Sequence, residues 1–251
     1  MFDALVLAGG GKPEPLIEQE GVSNKAFIVV QGRPLLAYIL QALQEAPSVD
    51  RIIVIGPESN LETLRQDGYI FEIMPEKGSI LDNIAAGFET VEQGRLCLVV
   101  TGDIPLLNAE VIEEFIQLCA PYDYDFYYPI LSRETCLLRF PETERTYVRL
   151  KEGHVTGGNI GFVSPSWFLE NRGRLELFIS YRKKPLKLLR ILPPVLIIKY
   201  LLKTLSLSDL EHSISRLLHF KARAVPCECV EIGVDVDKIS DLELMRRVLK
   251  S

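Results

Sequence analysis

A cluster of glycines near the start of the chain has the composition of a phosphate-binding turn. The apolar run Ala4–Leu7 leads through Ala8 into three consecutive glycines. Glycines at the end of a buried strand let backbone N–H groups approach a phosphate without interference from a Cβ atom. The pattern matches neither the Walker motif nor G-x-G-x-x-G, and many strand-to-loop turns are glycine-rich, so it needs support from other signals. The candidate phosphate-binding residues are Leu7, Ala8, Gly9, Gly10, Gly11 and Lys12.

Two charged residues supply that support. Lys25 precedes the apolar run Ala26–Val30, and Asp103 follows the apolar run Leu96–Val100. An ammonium group one loop away from the glycines can neutralise phosphate charge, and a carboxylate at the end of a central strand can hold Mg²⁺ between phosphate oxygens. The alternatives are a solvated lysine and a turn or capping aspartate. The position of Asp103 after a strand favours the functional interpretation.

The first half of the chain alternates strands and helices, which would bring these residues together. Apolar strands are predicted at Ala4–Leu7, Arg51–Gly56, Ile70–Met74 and Leu96–Val100, and helices at Pro34–Gln44, Ser79–Val91 and from Asn108 to Cys119. Strands that are apolar throughout indicate a sheet covered on both faces. Right-handed crossovers place the loops that follow the strands along one edge of the sheet, where such folds bind ligands. We therefore predict an α/β fold, Rossmann-like, with three α/β/α layers and a mostly parallel mixed sheet.

The second half is less regular. Strands are predicted at Asp125–Leu131, Thr146–Leu150, Gly158–Val163 and Val230–Val236, and helices at Ser166–Glu170, Leu186–Leu205, from a Ser208/Glu211 capping box onward, and at Ser240–Leu249. The sequence contains no internal repeat, low-complexity tract or obvious linker. It therefore predicts a single domain over residues 1–251, with a helical insertion at about 171–220.

Three segments of the first half resemble a known family. They are LVLAGGG at Leu5–Gly11, NKAFIVVQGRPLL at Asn24–Leu36 and LVVTGDIPLL at Leu98–Leu107. The chain resembles nucleotidyltransferases of the GT-A-like fold, and most closely the MobA-like NTP transferases. The likeness is strong over residues 1–110 and patchier beyond.

The resemblance implies an enzyme that transfers a nucleoside monophosphate from a nucleoside triphosphate to a phosphorylated acceptor, with Mg²⁺ as cofactor and release of pyrophosphate. The acceptor would be molybdopterin-like, a sugar phosphate or a polyol phosphate. Residues 1–120 would form the nucleotide-binding half and residues 121–251 the acceptor-binding half. Lys25 and Asp103 would be catalytic, and Lys25 would also bind the triphosphate. Ser79, Asp82 and Asn83 occupy the position where relatives contact the base, with a structural helix cap as the alternative.

Two later stretches extend the likeness. Gly157, Gly158 and Asn159 resemble the segment that such enzymes place against the acceptor, although a glycine-rich turn is nearly as good an interpretation. The segment from Val234 to Leu242 is similar to the closing V-D-[TK]-P-x-D-L motif. By that match Asp237 is the second metal ligand and Asp241 begins a helix. Asp235 competes for the metal, because alternating residues of a strand lie on one face.

The sequence also departs from the family pattern. The arginine of G-x-G-x-R is absent, and Lys12 can replace its charge but not its bidentate geometry. Asn24 stands where many relatives have proline. These differences favour an alternative, a catalytically weak or inactive nucleotide-binding or sensor protein of the same fold. Retention of Lys25, Asp103 and the Asp235/Asp237 pair argues against it.

The charge of the chain is unevenly distributed. The net charge is −6. Residues 171–205 contain nine basic residues against one acid, Glu176, giving this block +8 and leaving −14 for the remainder. The net charge excludes nucleic acid as a partner by bulk electrostatics.

The basic block is rich in leucine, but its charges and Pro193-Pro194 interrupt any membrane span. Three interpretations stay open: a packed helical subdomain, a wall of the acceptor pocket, or peripheral contact with an anionic membrane through residues 182–205.

The five cysteines are scattered and odd in number. The chain begins with a strand pattern rather than a secretory leader, so reduced thiols and a cytoplasmic location are expected. We interpret Cys227 and Cys229 as two thiols on one face of a strand rather than as metal ligands.

Overall fold

The computed structural model describes residues 1–10, 15–182 and 193–249. Within these residues the strands are β1 (Phe2–Leu7), β2 (Val29–Val30), β3 (Arg33–Pro34), β4 (Val49–Ile55), β5 (Glu72–Met74), β6 (Cys97–Thr101), β7 (Phe126–Ser132), β8 (Val148–Leu150), β9 (Gly153–Gly157), β10 (Ile160–Val163) and β11 (Ala222–Pro226). The helices are α1 (Pro15–Glu20), α2 (Leu35–Glu45), α3 (Glu58–Gln66), α4 (Ile80–Phe88), α5 (Ala109–Leu118), α6 (Arg133–Arg139), α7 (Pro165–Arg182), α8 (Pro194–Leu201), α9 (Leu207–Leu218) and α10 (Ile239–Val248). Short 3₁₀ helices lie at Lys25–Phe27 and Val230–Gly233.

One nine-stranded sheet in the described part contains strands from both halves of the chain. Its order is β5-β4-β1-β6-β10-β7-β9-β8, with β11 paired to β7, while β2 and β3 form a separate hairpin. Strands β5, β4, β1 and β6 are parallel, and β10 lies antiparallel to β6. From β1 the chain first adds β4 and β5 on one side and then returns to add β6 on the other. This reversal makes the carboxyl ends of β1 and β6 the switch point of the sheet, where such folds bind ligands.

Helices cover both faces of the sheet, which confirms the predicted three-layer arrangement. One face packs against α2, α5 and α10, whose core residues include Leu36, Phe115 and Met245. The opposite face packs against α4, α7 and α9 through residues such as Phe88 and Trp167. Because each layer excludes water from one face, the strands between them carry the continuous apolar runs that the sequence displays.

The predicted helices α4 and α5 begin where their sequence signals indicate, whereas α1 and α3 were not predicted. Asn108 caps α5 by accepting a hydrogen bond from the N–H of Val111 at 3.0 Å. Ser79 and Asp82 form a reciprocal capping box at the start of α4. Both arrangements satisfy N–H groups that a helix leaves unpaired in its first turn.

The structure differs from the predictions for the second half in several places. The segment predicted as a strand at Val230–Val236 begins as a 3₁₀ helix, and its carbonyls bond to Asn159 instead of entering the sheet. The strand paired to β7 is Ala222–Pro226, which the sequence analysis did not predict. The cap of α9 is Ser206, bonded to Asp209, and not Ser208, because the helix begins two residues earlier.

Cys227 and Cys229 follow β11 rather than lying on one face of a strand, which also corrects the prediction. Both thiols are buried, and the carboxylate of Glu114 lies with them, the three ligand atoms falling within 4.8 Å of one another.

The basic block is described in part, since residues 183–192 lie outside the described residues. Helix α7 continues to Arg182, well beyond the predicted end at Glu170. Leu196 of α8 packs with Leu150 and Leu205 in a small apolar cluster. Among the described helices, none has the length and apolar content that crossing a membrane requires.

Candidate active site

A cavity of about 620 Å³ opens at the carboxyl ends of β1 and β6. Both strands end at this edge of the sheet, so the loops that follow them form its floor. The described residues that line it are Leu7, Ala8, Gly9, Gly10, Ile17, Asn24, Lys25, Ala26, Gly78, Ser79, Ile80, Asn83, Thr101, Gly102 and Asp103. Most of the first-half candidates from the sequence are therefore brought together in one cavity. Gly11 and Lys12 lie outside the described residues.

The glycines after β1 occupy positions that side chains would obstruct. Gly10 has φ +83°, a left-handed conformation that favours glycine. A Cβ atom on Gly9 would lie 2.5 Å from the Oε1 atom of Glu76. The turn therefore depends on glycine for its conformation at Gly10, whereas a side chain at Gly9 would require the exposed side chain of Glu76 to move.

Two further glycines bring neighbouring strand ends close to Ala8. A Cβ atom on Gly56 would lie 2.9 Å from the carbonyl oxygen of Ala8, and one on Gly102 would lie 3.2 Å from its Cα atom. The N–H of Gly102 donates to the carbonyl of Leu7 at 3.0 Å. These contacts fix the loop after β6, and with it Asp103, against the glycine turn.

Asn24 attaches the Lys25 turn to the end of β1. Its side-chain amide donates to the carbonyl of Ala8, and its Oδ1 accepts from the N–H of Ala26 at 2.8 Å. Asn24 is buried, and it caps the 3₁₀ helix in which Lys25 is the first residue. The lysine is therefore held at the cavity by a polar anchor.

Three carboxylates meet beside Lys25. Asp103, Asp235 and Asp237 each offer an oxygen, and these atoms lie within 4.8 Å of one another. The Nζ atom of Lys25 pairs with Asp237 and lies 4.0 Å from Oδ2 of Asp103. The buried Oδ1 atom of Asp103 has no hydrogen-bond partner among the described residues. Clustered carboxylate oxygens with an unsatisfied buried acceptor form a donor set that suits a hard divalent cation.

The cluster carries more negative charge than its surroundings compensate. Burial, followed by the charges of Asp237 and Asp103, raises the pKa of Asp235 to about 6, while Arg145 opposes these effects. Burial also raises the pKa of Asp103. Since a shared cation would relieve both the burial cost and the repulsion, the electrostatics agree with the donor set.

Backbone contacts position the two acids from the second half of the chain. The N–H of Val236, the residue between them, donates to the carbonyl of Asp103 at 3.0 Å. Asp241 accepts from the N–H groups of Asp237 and Lys238 at the start of α10. Asp241 thus occupies the helix-start position that the resemblance implied.

The three residues considered for base selection also have structural partners. Ser79 and Asp82 bond to each other in the cap of α4, and Asp82 pairs with Arg172 of α7. The Oδ1 atom of Asn83 accepts from the N–H of Lys77 at 2.7 Å. Ser79 and Asn83 line the cavity, whereas Asp82 is not among the residues that line it.

The residues considered for acceptor binding lie at the turn between β9 and β10. Asn159 bonds through its carbonyl to the N–H of Thr101 at 3.1 Å, and through its own N–H to the carbonyl of Ile232 at 2.7 Å. A Cβ atom on Gly157 would lie 2.2 Å from the hydroxyl of Tyr128, and Gly158 is packed against Ile232. This turn therefore links the end of β6 to the segment that carries Asp235 and Asp237.

Sequence reasoning missed several residues of this region. Asn24 was noted only as a departure from proline, and Thr101, whose hydroxyl is buried, only as the residue before Gly102-Asp103. Arg145 lies near Asp235. Burial raises the pKa of the Tyr128 phenol, and the negative charge of Asp235 raises it further. Arg145 and Tyr128 are distant in sequence from any recognisable motif, so no signal in one sequence identifies them.

Comparison with known proteins agrees with the fold. A hypothetical transferase from Thermus thermophilus, known from a solved structure, is 35% identical with a TM-score of 0.84, over 96% of this chain and 100% of that chain. The 2-C-methyl-D-erythritol 4-phosphate cytidylyltransferase of Clostridium acetobutylicum is 25% identical over 126 residues, 47% of this chain and 53% of the relative.

A probable molybdenum cofactor guanylyltransferase of Thermococcus kodakarensis is 30% identical over 98 residues, 38% of this chain and 45% of the relative. The chain thus spans about half the length of these curated relatives. The family model for the MobA-like NTP transferase domain matches residues 4–223, which include the glycine turn, Lys25, Asp103 and the turn at Asn159. The chain belongs to the MobA-like NTP transferase domain family.

Proposed function

We propose that this protein is a Mg²⁺-dependent nucleotidyltransferase that moves a nucleoside monophosphate from a nucleoside triphosphate to a phosphorylated small molecule. The observation that carries the proposal is the meeting of Asp103, Asp235 and Asp237 beside Lys25, one loop from a glycine turn. Curated relatives are named for acceptors as different as methylerythritol phosphate, ribitol 5-phosphate and the molybdenum cofactor. The acceptor is accordingly proposed only as a phosphorylated compound.

The reaction requires positioning and charge neutralisation more than covalent chemistry. An oxygen of the acceptor phosphate attacks the α-phosphorus, a new P–O bond forms, and the bond to the β-phosphate breaks to release pyrophosphate. The N–H groups of Gly9 and Gly10 hold the triphosphate, and Lys25 neutralises charge that develops on it. Asp103, Asp235 and Asp237 would hold Mg²⁺, which would neutralise negative charge on the phosphate oxygens. Asn24 keeps Lys25 oriented towards the cavity.

The decisive experiment compares Asp103→Asn with Asp67→Asn, a control in an exposed carboxylate outside the cavity. A thermal-shift panel of ATP, CTP, GTP and UTP with Mg²⁺ first identifies the nucleotide. Pyrophosphate release is then measured with a set of phosphorylated acceptors. Asp103→Asn should lower kcat by about 10²–10³ or more, as loss of one charge-stabilising group does, with the fold intact by circular dichroism. Unchanged turnover would refute the assignment.

The same panel tests the sensor alternative. A protein that binds a nucleotide but has lost the chemistry would show a thermal shift and no pyrophosphate release with any acceptor. The carboxylate cluster favours the enzyme, since binding alone does not require three acids at one point.

A peripheral membrane contact through residues 182–205 is a second proposal. It is favoured by α8, where Val195, Ile198 and Leu201 are all more than half exposed, close to Lys199 and Lys203. Co-sedimentation with vesicles that contain anionic lipid, against neutral vesicles, tests it. Equal recovery in both supernatants would refute it.

A further inference from the structure

A second cavity, of about 420 Å³, adjoins the candidate active site on the sheet face covered by α4, α7 and α9. Thr101 lines both cavities. The volume falls within the range of small-molecule sites. Since β6 is a central strand, its residues on this face should be fully covered, but Val99 and Thr101 are only partly buried.

Gly161 creates the space on the floor of this cavity. It pairs with Val99 across β6 and β10, and a Cβ atom there would lie 3.2 Å from the ring of Phe126. The walls are apolar side chains of the three helices, including Ile84 of α4, Trp167 of α7 and Ile214 of α9. Among the described residues that line the cavity, none is charged.

The polar groups of this cavity stand at its boundary with the active site. They are Thr101, Tyr128 and Asn159. Tyr128 stacks on Phe126 within the apolar wall. Its phenol also lies close enough to Asp235 for the two groups to interact electrostatically. A molecule that extends from the carboxylate cluster into this cavity would therefore pass from charged to polar to apolar surroundings.

We propose that this cavity is a subsite for the apolar part of the acceptor, so that the preferred acceptor is an amphiphile with a phosphate at one end and a hydrocarbon portion at the other. This proposal rests on the proposed transferase function. A nucleoside triphosphate is not the occupant, because its phosphates and ribose need more polar partners than the three groups at the boundary of this cavity. Continuity at Thr101 directs the occupant's charged end to the carboxylate cluster.

The chain carries its own reporter for this subsite. Trp167 is the single tryptophan of the sequence and lines the cavity, where it stacks on Phe220 with ring centroids 4.3 Å apart. Titration with butyl, hexyl and octyl phosphate, kept below their micellar concentrations, should change its fluorescence saturably. Each added methylene should tighten binding about fourfold, the equivalent of about 0.8 kcal/mol.

The variant Ile214→Glu places a charge in the cavity wall, and Ile70→Glu, at a side chain 76% exposed outside the cavity, is its control. Ile214→Glu should weaken octyl phosphate at least tenfold and abolish the dependence on chain length, while Ile70→Glu should match the unaltered protein. If Ile214→Glu does not fold, Ile214→Phe narrows the cavity without adding charge and should shorten the longest chain that binds. Absence of chain-length dependence, or equal weakening in both glutamate variants, would overturn the proposal.

Acceptor assays separate this proposal from the one on which it rests. Transfer to glycerol 3-phosphate and octyl phosphate with equal KM, without a Trp167 response, would support the transferase and overturn the subsite. A chain-length-dependent Trp167 response without transfer to any acceptor would support the subsite and overturn the transferase. Both proposals are supported if octyl phosphate is an acceptor whose KM rises in Ile214→Glu alone.

Discussion

Asp235→Asn should stabilise the protein in the absence of divalent cations, although it removes a proposed ligand. The carboxylate is ionised at neutral pH despite a pKa raised to about 6 by burial and by its acidic neighbours. A displacement of about two units from an ordinary aspartate corresponds to about 3 kcal/mol. Coulomb's law gives a similar magnitude, since two like charges at the 4.8 Å limit of this cluster repel by about 3.5 kcal/mol at an effective dielectric constant of about 20.

Replacement of Asp235 by asparagine removes this cost and should therefore increase the free energy of unfolding by part of it. For a chain of this size about 1 kcal/mol changes Tm by about 2–4 °C, so we expect a rise of several degrees with about 10 °C as the ceiling. The gain depends on pH in a defined direction. Below about pH 4 Asp235 is protonated in both the folded and unfolded states and the two proteins match. Between about pH 4 and pH 6 Asp235 ionises in the unfolded state before it does so in the folded state, so the unaltered protein becomes less stable than the asparagine variant. Above about pH 6 Asp235 is ionised in both states, and the difference in stability no longer changes.

The assay is differential scanning fluorimetry of both proteins from pH 4 to pH 8, in EDTA and in Mg²⁺. Mg²⁺ at about 100 times its Kd should stabilise the unaltered protein by about 2.7 kcal/mol at neutral pH and the asparagine variant far less, so the difference in stability between the two proteins should largely close. Asp67→Asn is the control for loss of an exposed carboxylate. A lower Tm for Asp235→Asn in EDTA at pH 7.5, or a difference that does not vary with pH, would refute the electrostatic reasoning.

Two further predictions concern packing and the lysine anchor. Gly87→Ala should lower the free energy of unfolding by about 1–3 kcal/mol, because its Cβ would lie 2.4 Å from a methyl carbon of Leu5. Gly173→Ala lies at an open position of helix α7 and should raise the free energy of unfolding by up to about 1 kcal/mol. Urea denaturation measures both effects. Asn24→Ala should cost about 1–3 kcal/mol by leaving the buried carbonyl of Ala8 unsatisfied, and should also lower kcat for pyrophosphate release. Equal effects of the two glycine substitutions, or an Asn24→Ala protein with normal kcat, would contradict these expectations.

The site edge of the fold could be predicted from the sequence because its signals are local. The apolar runs of β1 and β6 each end in glycine next to a candidate side chain, and parallel strands must present such ends at one edge. The cap at Asn108 was likewise predictable, since its hydrogen bond joins residues three apart. The resemblance added roles for these residues, and the structure places Lys25 and Asp103 in one cavity.

The remainder depended on contacts between distant residues. Apolar residues alternate in the sequence at Val230, Ile232, Val234 and Val236, as in a strand. The structure also buries Glu231 and Gly233 between them, and the carbonyl of Ile232 accepts from the N–H of Asn159 rather than from a neighbouring strand. Alternation of apolar residues in a sequence predicts a half-buried strand but does not specify which backbone groups form hydrogen bonds. Strand β11 was missed for the converse reason, because its short sequence is only partly apolar and its pairing with β7 bridges almost a hundred residues.

The choice between Asp235 and Asp237 illustrates what geometry adds. The sequence argument placed both acids on one face of a strand, but the segment is not a strand, and their convergence has another cause. The hydrogen bond from Val236 to the carbonyl of Asp103 fixes the residue between them at the end of β6. The two acids lie close together but in different environments. Asp235 is largely buried, which raises its pKa. The side chain of Asp237 is 54% exposed and pairs with Lys25. A cation that enters this cluster gains most from Asp235, whose charge is least compensated, and must compete with Lys25 for Asp237. Removal of Asp235 should therefore weaken Mg²⁺ binding more than removal of Asp237, and an isothermal titration that found the reverse order would show that the lysine pair, and not burial, governs the site.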